Sequence, residues 1–399
     1  MHTKRRIAVL TTGRSDYGLL YWTLKLIDSD PDLELGLIVT GMHLSKKLGF
    51  SLRDIENDNF PIAQKITTLG ESDSKESIGA SIGQGTVRYC EALSNMKPDI
   101  LLLLGDRTEI LSAAVAALPL LIPVAHIHGG ESSEGAIDEN IRHAVSKLSH
   151  IHFTSTQFYA QRLIQMGEEP WRIHVSGAPG IENIYKSTLP DKQEVNRVIG
   201  IDVSKPIILM AYHPETITDN NITENTNQVL DAIRETDMNA VITYPNSDTG
   251  GQMIIDCINQ FRLNYGKVTV VPNLGSNLYL ALLKHTSVLI GNSSSGIIEA
   301  ASFGTPVVNI GDRQKGRLRG ENVIDVPTDK SAIVSAIHKA MSLPFGKAIR
   351  SIENIYDHGI ASETIVNVLK SVELGPPILR KRFVDLPFTL QQKPPGSRN

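Results

Sequence analysis

At 399 residues the chain is long enough for two domains that each bury a core of their own. A formal net charge of −4 and a pI near 6.3 give no basic field of the kind that gathers nucleic acid or anionic lipid, so any phosphate has to be met by local groups. Cys90 and Cys257, the two cysteines, stand far apart and outside any CxxC or Cys/His cluster, which argues against a disulfide framework and a structural zinc site.

Met1 to Arg6 is polar and leads directly into a strand-like run, with neither a signal-peptide core nor an apolar stretch of membrane-spanning length; the expected location is the cytoplasm. Short β-branched runs then alternate with longer amphipathic stretches, the pattern of βαβ units around a parallel sheet covered on both faces. Strands are predicted at Arg6–Thr11, Leu33–Thr40, Ile100–Leu104, Pro123–Ile127 and Ile151–Thr154. After a polar stretch at 189–205 a second series follows at Ile207–Ala211, Val241–Tyr244, Val268–Val271, Val288–Ile290 and Val307–Ile310. Two such series predict an α/β fold of two Rossmann-like domains that face each other, with the site in their cleft and the residues just after each strand reading as ligand contacts. From about Phe383 the chain is rich in Pro, Gln and Lys and reads as a frayed tail.

The first strand runs into Thr-Thr-Gly-Arg-Ser-Asp-Tyr-Gly (11–18), which lacks GxGxxG spacing and so offers no nicotinamide or flavin site. Arg14 reads either as a diphosphate clamp or as a surface arginine beside Asp16 at a helix start. His43, after the second strand, either reaches a ligand in the cleft or is an ordinary loop histidine. The densest ionisable cluster is Gly105-Asp106-Arg107, His126-Ile-His-Gly-Gly-Glu131 and Asp138-Glu139-Asn140-Ile141-Arg142-His143. Carboxylates that share a partly desolvated pocket push their pKa values apart, so that one acts as base while another acts as acid. Asp106, His128, Glu131 and Asp138 are the candidates; the alternatives are a helix N-cap for Asp106, a first-turn acid complementing a helix dipole for Asp138, and a hydrogen-bonded core role for His128. In the second half, His213-Pro214 and Pro245-Asn246 present polar side chains after strands. Gly291-Asn-Ser-Ser-Ser-Gly296 opens a helix whose start suits a diphosphate, with Glu299 placed to accept ribose hydroxyls and Arg313 adding a cation.

Taken together, Gly105-Asp-Arg, His-Ile-His-Gly-Gly-Glu (126–131), Asp138…Ile141-Arg142-His143, His213-Pro214, Gly291-Asn-Ser-Ser-Ser-Gly and Gly311-Asp-Arg-Gln resemble the hydrolysing UDP-N-acetylglucosamine 2-epimerases of sialic acid biosynthesis and their relatives in legionaminic acid biosynthesis. The match runs from Ile7 to about Val372. The resemblance implies the GT-B arrangement: a first domain over 1–185, a UDP-binding second domain over 186–360, a helix at about 361–382 that crosses back to the first domain, and a tail at 383–399. It also implies a homodimer or homotetramer, with no cofactor and no metal. Carried over residue by residue, it assigns UDP-sugar contacts to Arg14, Asn246, Ser293, Ser294, Glu299 and Arg313, and chemistry to Asp106, Asp138 and His213. Asp16, His43 and Arg142 join the binding set. One position departs from the pattern: many members carry a catalytic Glu where this chain has His128, and both His128 and Glu131 stand as candidates to replace it.

The chemistry such a site would perform follows from the substrate. The C2 proton of a 2-acetamido sugar adjoins no carbonyl, so elimination of UDP from C1 has to make it acidic before a base can take it. The expected reaction gives a glycal, then hydration to the free manno sugar, with UDP-N-acetylglucosamine as first-choice substrate and UDP-N,N′-diacetylbacillosamine as the alternative. A non-hydrolysing epimerase, a GT-B glycosyltransferase and a silent UDP-sugar sensor are the rivals.

Overall fold

The computed structural model describes residues 4–45, 50–68, 70, 72, 74–217, 221–246 and 248–387. The first seven strands are β1 (Arg5–Thr11), β2 (Leu33–Thr40), β3 (Ile62–Ile66), β4 (Ile100–Leu104), β5 (Val124–Ile127), β6 (Ile151–Thr154) and β7 (Ile173–Val175). They form one sheet in the order β3-β2-β1-β4-β5-β6-β7. A second sheet takes β8 (Ile207–Ala211), β9 (Asn239–Thr243), β10 (Val268–Val271), β11 (Val288–Gly291), β12 (Val307–Ile310) and β13 (Val323–Val326) in the order β10-β9-β8-β11-β12-β13. Every pairing is parallel, as in β1 against β4 (Val9 beside Leu102) and β8 against β11 (Ala211 beside Gly291). In both sheets the strand order reverses beside the first strand of the series, which opens a crevice at the carboxyl edge.

Strands covered on both faces carry apolar side chains on both. Ile7 and Val9 of β1 face a core completed by Leu20, Leu24 and Ile27 of the helix Arg14–Ser29, while Ala8 and Leu10 face Tyr89, Leu93 and Ile110. The second sheet is likewise buried between two apolar clusters. A fifth cluster joins the halves: Tyr159, Ala178 and Ile181 meet Ile297, Ile298 and Tyr356. There the Tyr159 hydroxyl accepts the Leu318 N–H at 2.9 Å, and the Tyr356 hydroxyl donates to the Leu318 carbonyl at 2.6 Å.

Three strands, β3, β7 and β13, have no counterpart in the sequence reading. The end of the chain returns to the first domain, because Ala361, Ile365, Val366 and Leu369 of the helix Ala361–Ser371 lie in the same core as the helix Arg14–Ser29. Ser362 fixes the start of that helix, its N–H and hydroxyl both bonded to Glu182 at 2.8 and 2.5 Å. Farther on, the fully buried Arg172 donates to the carbonyls of Ile378 (2.8 Å), Arg380 (3.0 Å) and His150 (3.2 Å). Phe383 and Val384 remain docked, with Val384 N–H on the Gly167 carbonyl at 3.0 Å; the rest of the predicted tail, from 388, lies outside the described residues.

Arg172→Met would leave the buried Ile378 and His150 carbonyls without this donor, at about 2–4 kcal/mol. Urea unfolding of the variant should show a loss of that size, and an unchanged midpoint would mean that these contacts do not hold the C-terminal segment.

Candidate active site in the interdomain cleft

The carboxyl ends of β4 and β5 turn sharply. Gly105 and Gly130 have φ of +83° and +78°, and His128 itself sits at φ +66°, in the left-handed region that a residue with a Cβ seldom occupies. A Cβ on Gly130 would lie 2.7 Å from the Tyr159 carbonyl oxygen, so only glycine lets the loop pass. Arg107, and not Asp106, takes the N-cap position of the helix Thr108–Ala117, which leaves the Asp106 carboxylate free of a capping role. Asp138 begins the helix Asp138–Leu148, and Glu139 turns back to the Ser133 N–H at 2.5 Å and to His143 at 3.0 Å.

These loops converge on Arg142. Its guanidinium meets Asp106, the Glu131 Oε2 at 3.3 Å, the Ser133 hydroxyl at 2.8 Å and the His128 carbonyl at 3.4 Å. Glu131 is fully buried. Its Oε1 accepts from the His128 Nδ1 and the Ser155 hydroxyl, both at 2.5 Å, and its Oε2 accepts from Arg317 of the second domain at 2.5 Å. Burial alone would raise its pKa, but His128, Arg317 and Arg142 outweigh that and hold the carboxyl well below the usual carboxylate range. Asp138 behaves in the opposite way: burial, then the charges of Asp106 and Asp248, push it up to about 7 against the pull of Arg313 and Arg142. About one fifth (22%) of its side chain stays open, so it can exchange a proton with a ligand.

The second domain supplies donors. His213 Nδ1 accepts the Asn246 N–H at 3.2 Å, which puts the ring proton on Nε2; Asn292 brackets the same residue, bonding its N–H at 2.7 Å and its carbonyl at 2.9 Å. Burial, then the nearby Arg313 and Arg107, keep His213 well below its usual pKa, and so neutral. Arg313 reaches Asp138 at 3.5 Å and Asp248 at 3.7 Å, from a loop pressed against the first domain so closely that a Cβ on Gly135 would lie 2.7 Å from the Arg313 Cα. Ser293 caps the helix Ser294–Ile298, with Ser295 bonded to the Tyr279 hydroxyl at 2.5 Å. Glu299 follows that helix, 8% exposed, with one carboxylate oxygen buried and unpartnered among the described residues, and a Cβ on Gly180 would collide with the other.

The remaining predicted residues form a separate group at β1 and β2. Arg14 Nε lies on Asp54 at 2.8 Å. Asp16 takes the N–H groups of Thr12 (2.7 Å) and Gly13 (2.9 Å), and so closes the start of the first helix. His43 is wholly buried, its two ring nitrogens occupied by Thr11 (2.9 Å) and Ser51 (2.7 Å). Sequence reasoning had not singled out Arg107, Ser155, Asp248 or Arg317 as site residues. Arg107 lies within the field of Glu109, Asp248, Asp16 and Asp138, which raises its pKa despite burial. Arg317 follows Arg313 by four positions in the same basic loop, Gly311-Asp-Arg-Gln-Lys-Gly-Arg317.

Two facing parallel-sheet domains, with titratable groups of one and cationic and hydroxyl groups of the other converging on the cleft, define an α/β enzyme of the GT-B arrangement. The chain belongs to the UDP-N-acetylglucosamine 2-epimerase family, whose sequence pattern matches residues 25–370, and it is an enzyme of the hydrolysing kind. It is 39% identical to a UDP-N,N′-diacetylbacillosamine 2-epimerase (hydrolyzing) of Legionella pneumophila, over 94% of this chain and 98% of that one. It is 35% identical to a UDP-N-acetylglucosamine 2-epimerase of Neisseria meningitidis serogroup B, over 96% and 99%. Its fold matches the UDP-GlcNAc 2-epimerase of Methanocaldococcus jannaschii in complex with UDP-GlcNAc and UDP, with a TM-score of 0.72 at 19% identity over 91% of this chain and 99% of that one. Among the described residues, no helix is long and apolar enough to cross a membrane.

Burial lifts the Glu299 carboxyl from 4.5 to about 7. The folded chain therefore favours the protonated form, and its contribution to stability is complete below pH 4.5 and is lost as pH rises through 7. Thermal unfolding at pH 5 and pH 8 should differ less for Glu299→Gln than for the unmodified chain; equal differences would mean that Glu299 ionises as a free carboxyl does.

Proposed function

We propose that the chain converts a UDP-linked 2-acetamido sugar and water into UDP and the free C2 epimer, by elimination and then hydration. The observation that carries this reading is the convergence of Asp106, His128, Glu131 and Asp138 at the carboxyl ends of β4 and β5, opposite His213, Arg313 and Arg317 of the second domain. The C1–O bond to UDP breaks as a base of the first domain removes the C2 proton; water then adds at C1 while a proton returns to C2 from the opposite face. Asp138, poised near neutrality, can both take and give a proton. Glu131 is saturated with donors and stays an anion, so of the pair it is His128 that moves a proton. Neutral His213 donates through Nε2 to the departing diphosphate, and Arg313 offsets its charge. Arg14, Ser293, Ser294 and Asn246 complete the diphosphate and uridine contacts, and Glu299 accepts the ribose hydroxyls.

For the sugar we place UDP-N,N′-diacetylbacillosamine first, since the relative named for it shares 39% identity, against 35% for the relative named for UDP-GlcNAc. UDP-GlcNAc, the expectation from the sequence, is the second reading. A cytoplasmic homodimer or homotetramer is the assembly we carry forward, and light scattering would measure its mass.

Incubation with each UDP-sugar in D₂O, followed by NMR, should yield free UDP and a free manno-configured sugar with deuterium at C2. Release of UDP only in the presence of an acceptor, or product without deuterium, would overturn the reading. Asp106→Asn should abolish turnover with UDP affinity nearly intact, as calorimetry would report. Glu299→Ala should weaken UDP binding by about tenfold, the scale of one hydrogen bond, and unchanged affinity would remove its ribose role.

A further inference from the structure

We infer that Arg317 couples closure of the cleft to the acid–base chemistry of the first domain, by holding Glu131 in place so that Glu131 fixes the tautomer and orientation of the His128 imidazole. The inference rests on the reading above, in which His128 moves the proton at C2.

Four donors use up the two oxygens of Glu131: His128 Nδ1 and Ser155 on Oε1, each at 2.5 Å, and Arg317 at 2.5 Å and Arg142 at 3.3 Å on Oε2. No lone pair is left for a substrate. An ionised carboxylate only accepts, so the proton in the short contact with His128 lies on Nδ1 and the exchanging atom is Nε2. Nε2 has no protein partner among the described residues and is not sealed from solvent. The backbone of His128 is held in its left-handed conformation by its N–H on the Phe153 carbonyl at 3.0 Å and by its carbonyl near Arg142. The ring is thus placed by a strained backbone on one side and by Glu131 on the other.

Of the two cations on Glu131, Arg142 is shared with Asp106, whereas Arg317 comes from across the cleft. Arg317 is itself held by the Gln314 Oε1 at 2.9 Å, and its loop is fastened to the first domain where Glu134 N–H meets the Lys315 carbonyl at 3.3 Å and Leu318 N–H meets Tyr159. Those bonds exist only with the domains together. Separation would remove the Arg317 charge from a buried carboxylate and loosen the anchor of His128. Arg317 and Glu131 are therefore positioning residues, acting through His128.

The test is ¹⁵N NMR of the full-length, histidine-labelled chain without substrate, the His128 signal being identified by its loss in His128→Gln, combined with kinetics and UDP calorimetry. The unmodified chain should show a proton fixed on His128 Nδ1. Arg317→Met and Glu131→Gln should each mix the tautomers and lower kcat by about 10–100-fold with UDP affinity changed less than about 3-fold, and Arg317→Lys should restore most of both. Should Arg317→Met fail to fold, Arg317→Lys against Glu131→Gln makes the same comparison. An unchanged His128 signal in Arg317→Met, or a loss of kcat matched by an equal loss of UDP affinity, overturns the coupling. If neither UDP-sugar is turned over by the unmodified chain, the proposed reaction falls, while the His128 signal still decides whether Arg317 sets the tautomer.

Discussion

A carboxylate with no solvent exposure is tolerated in a protein only when its charge is met at close range, since desolvation of an unpaired ion costs several kcal/mol. Glu131 is such a group, and its partners come from both halves of the chain. The geometry around it follows from that requirement. The loop at Gly135 and the loop at Arg313 must approach closely enough that a side chain on the glycine would not fit, and the Tyr159–Tyr356 pair must hold Leu318 so that Arg317 arrives in register. Packing between the domains and the charge arrangement of the site are two aspects of one constraint.

The same contact sorts the charges of the cleft. Arg313, Arg317 and a neutral His213 come from the second domain and Asp106, Glu131 and Asp138 from the first, and where the two meet, Asp138 sits between like charges on Asp106 and Asp248 and the opposing charge on Arg313. An acid so placed responds to small rearrangements of its neighbours, because each of them acts through a low-dielectric medium. Glu131 does not, since its partners are hydrogen-bonded directly. Two carboxylates a few residues apart in sequence are thus given opposite proton affinities by their surroundings.

Most strands were legible in the sequence because a parallel strand covered on both faces is a continuous apolar run; Ile100–Leu104, all leucine and isoleucine, has every residue buried. The three that escaped notice, β3 (IAQKI), β7 (IHV) and β13 (VIDV), are edge strands with half-exposed, partly polar sequences, where period and hydrophobicity give little to read. The carboxyl-edge acids were legible too, as dense polar motifs following strands. What the sequence left open was how they pair. One partner of Glu131 is Arg317, which lies 186 positions away and reaches it only through tertiary structure. Asp16 and His43 follow strands as ligand contacts do, and their polar atoms are bonded within the first domain, an arrangement set by side-chain direction that position alone does not reveal.

The helix Ala361–Ser371 completes the first domain from the far end of the chain, and this imposes an order on biosynthesis. The second sheet and its helices are contiguous, so that half can fold as soon as it leaves the ribosome, whereas Leu20, Leu24 and Ile27 keep an unshielded flank until Ile365 and Leu369 have been made. During that interval the nascent first half is an incomplete core with apolar surface exposed. Chaperone engagement in the cell should therefore concentrate on the half synthesised first, which is the last to finish.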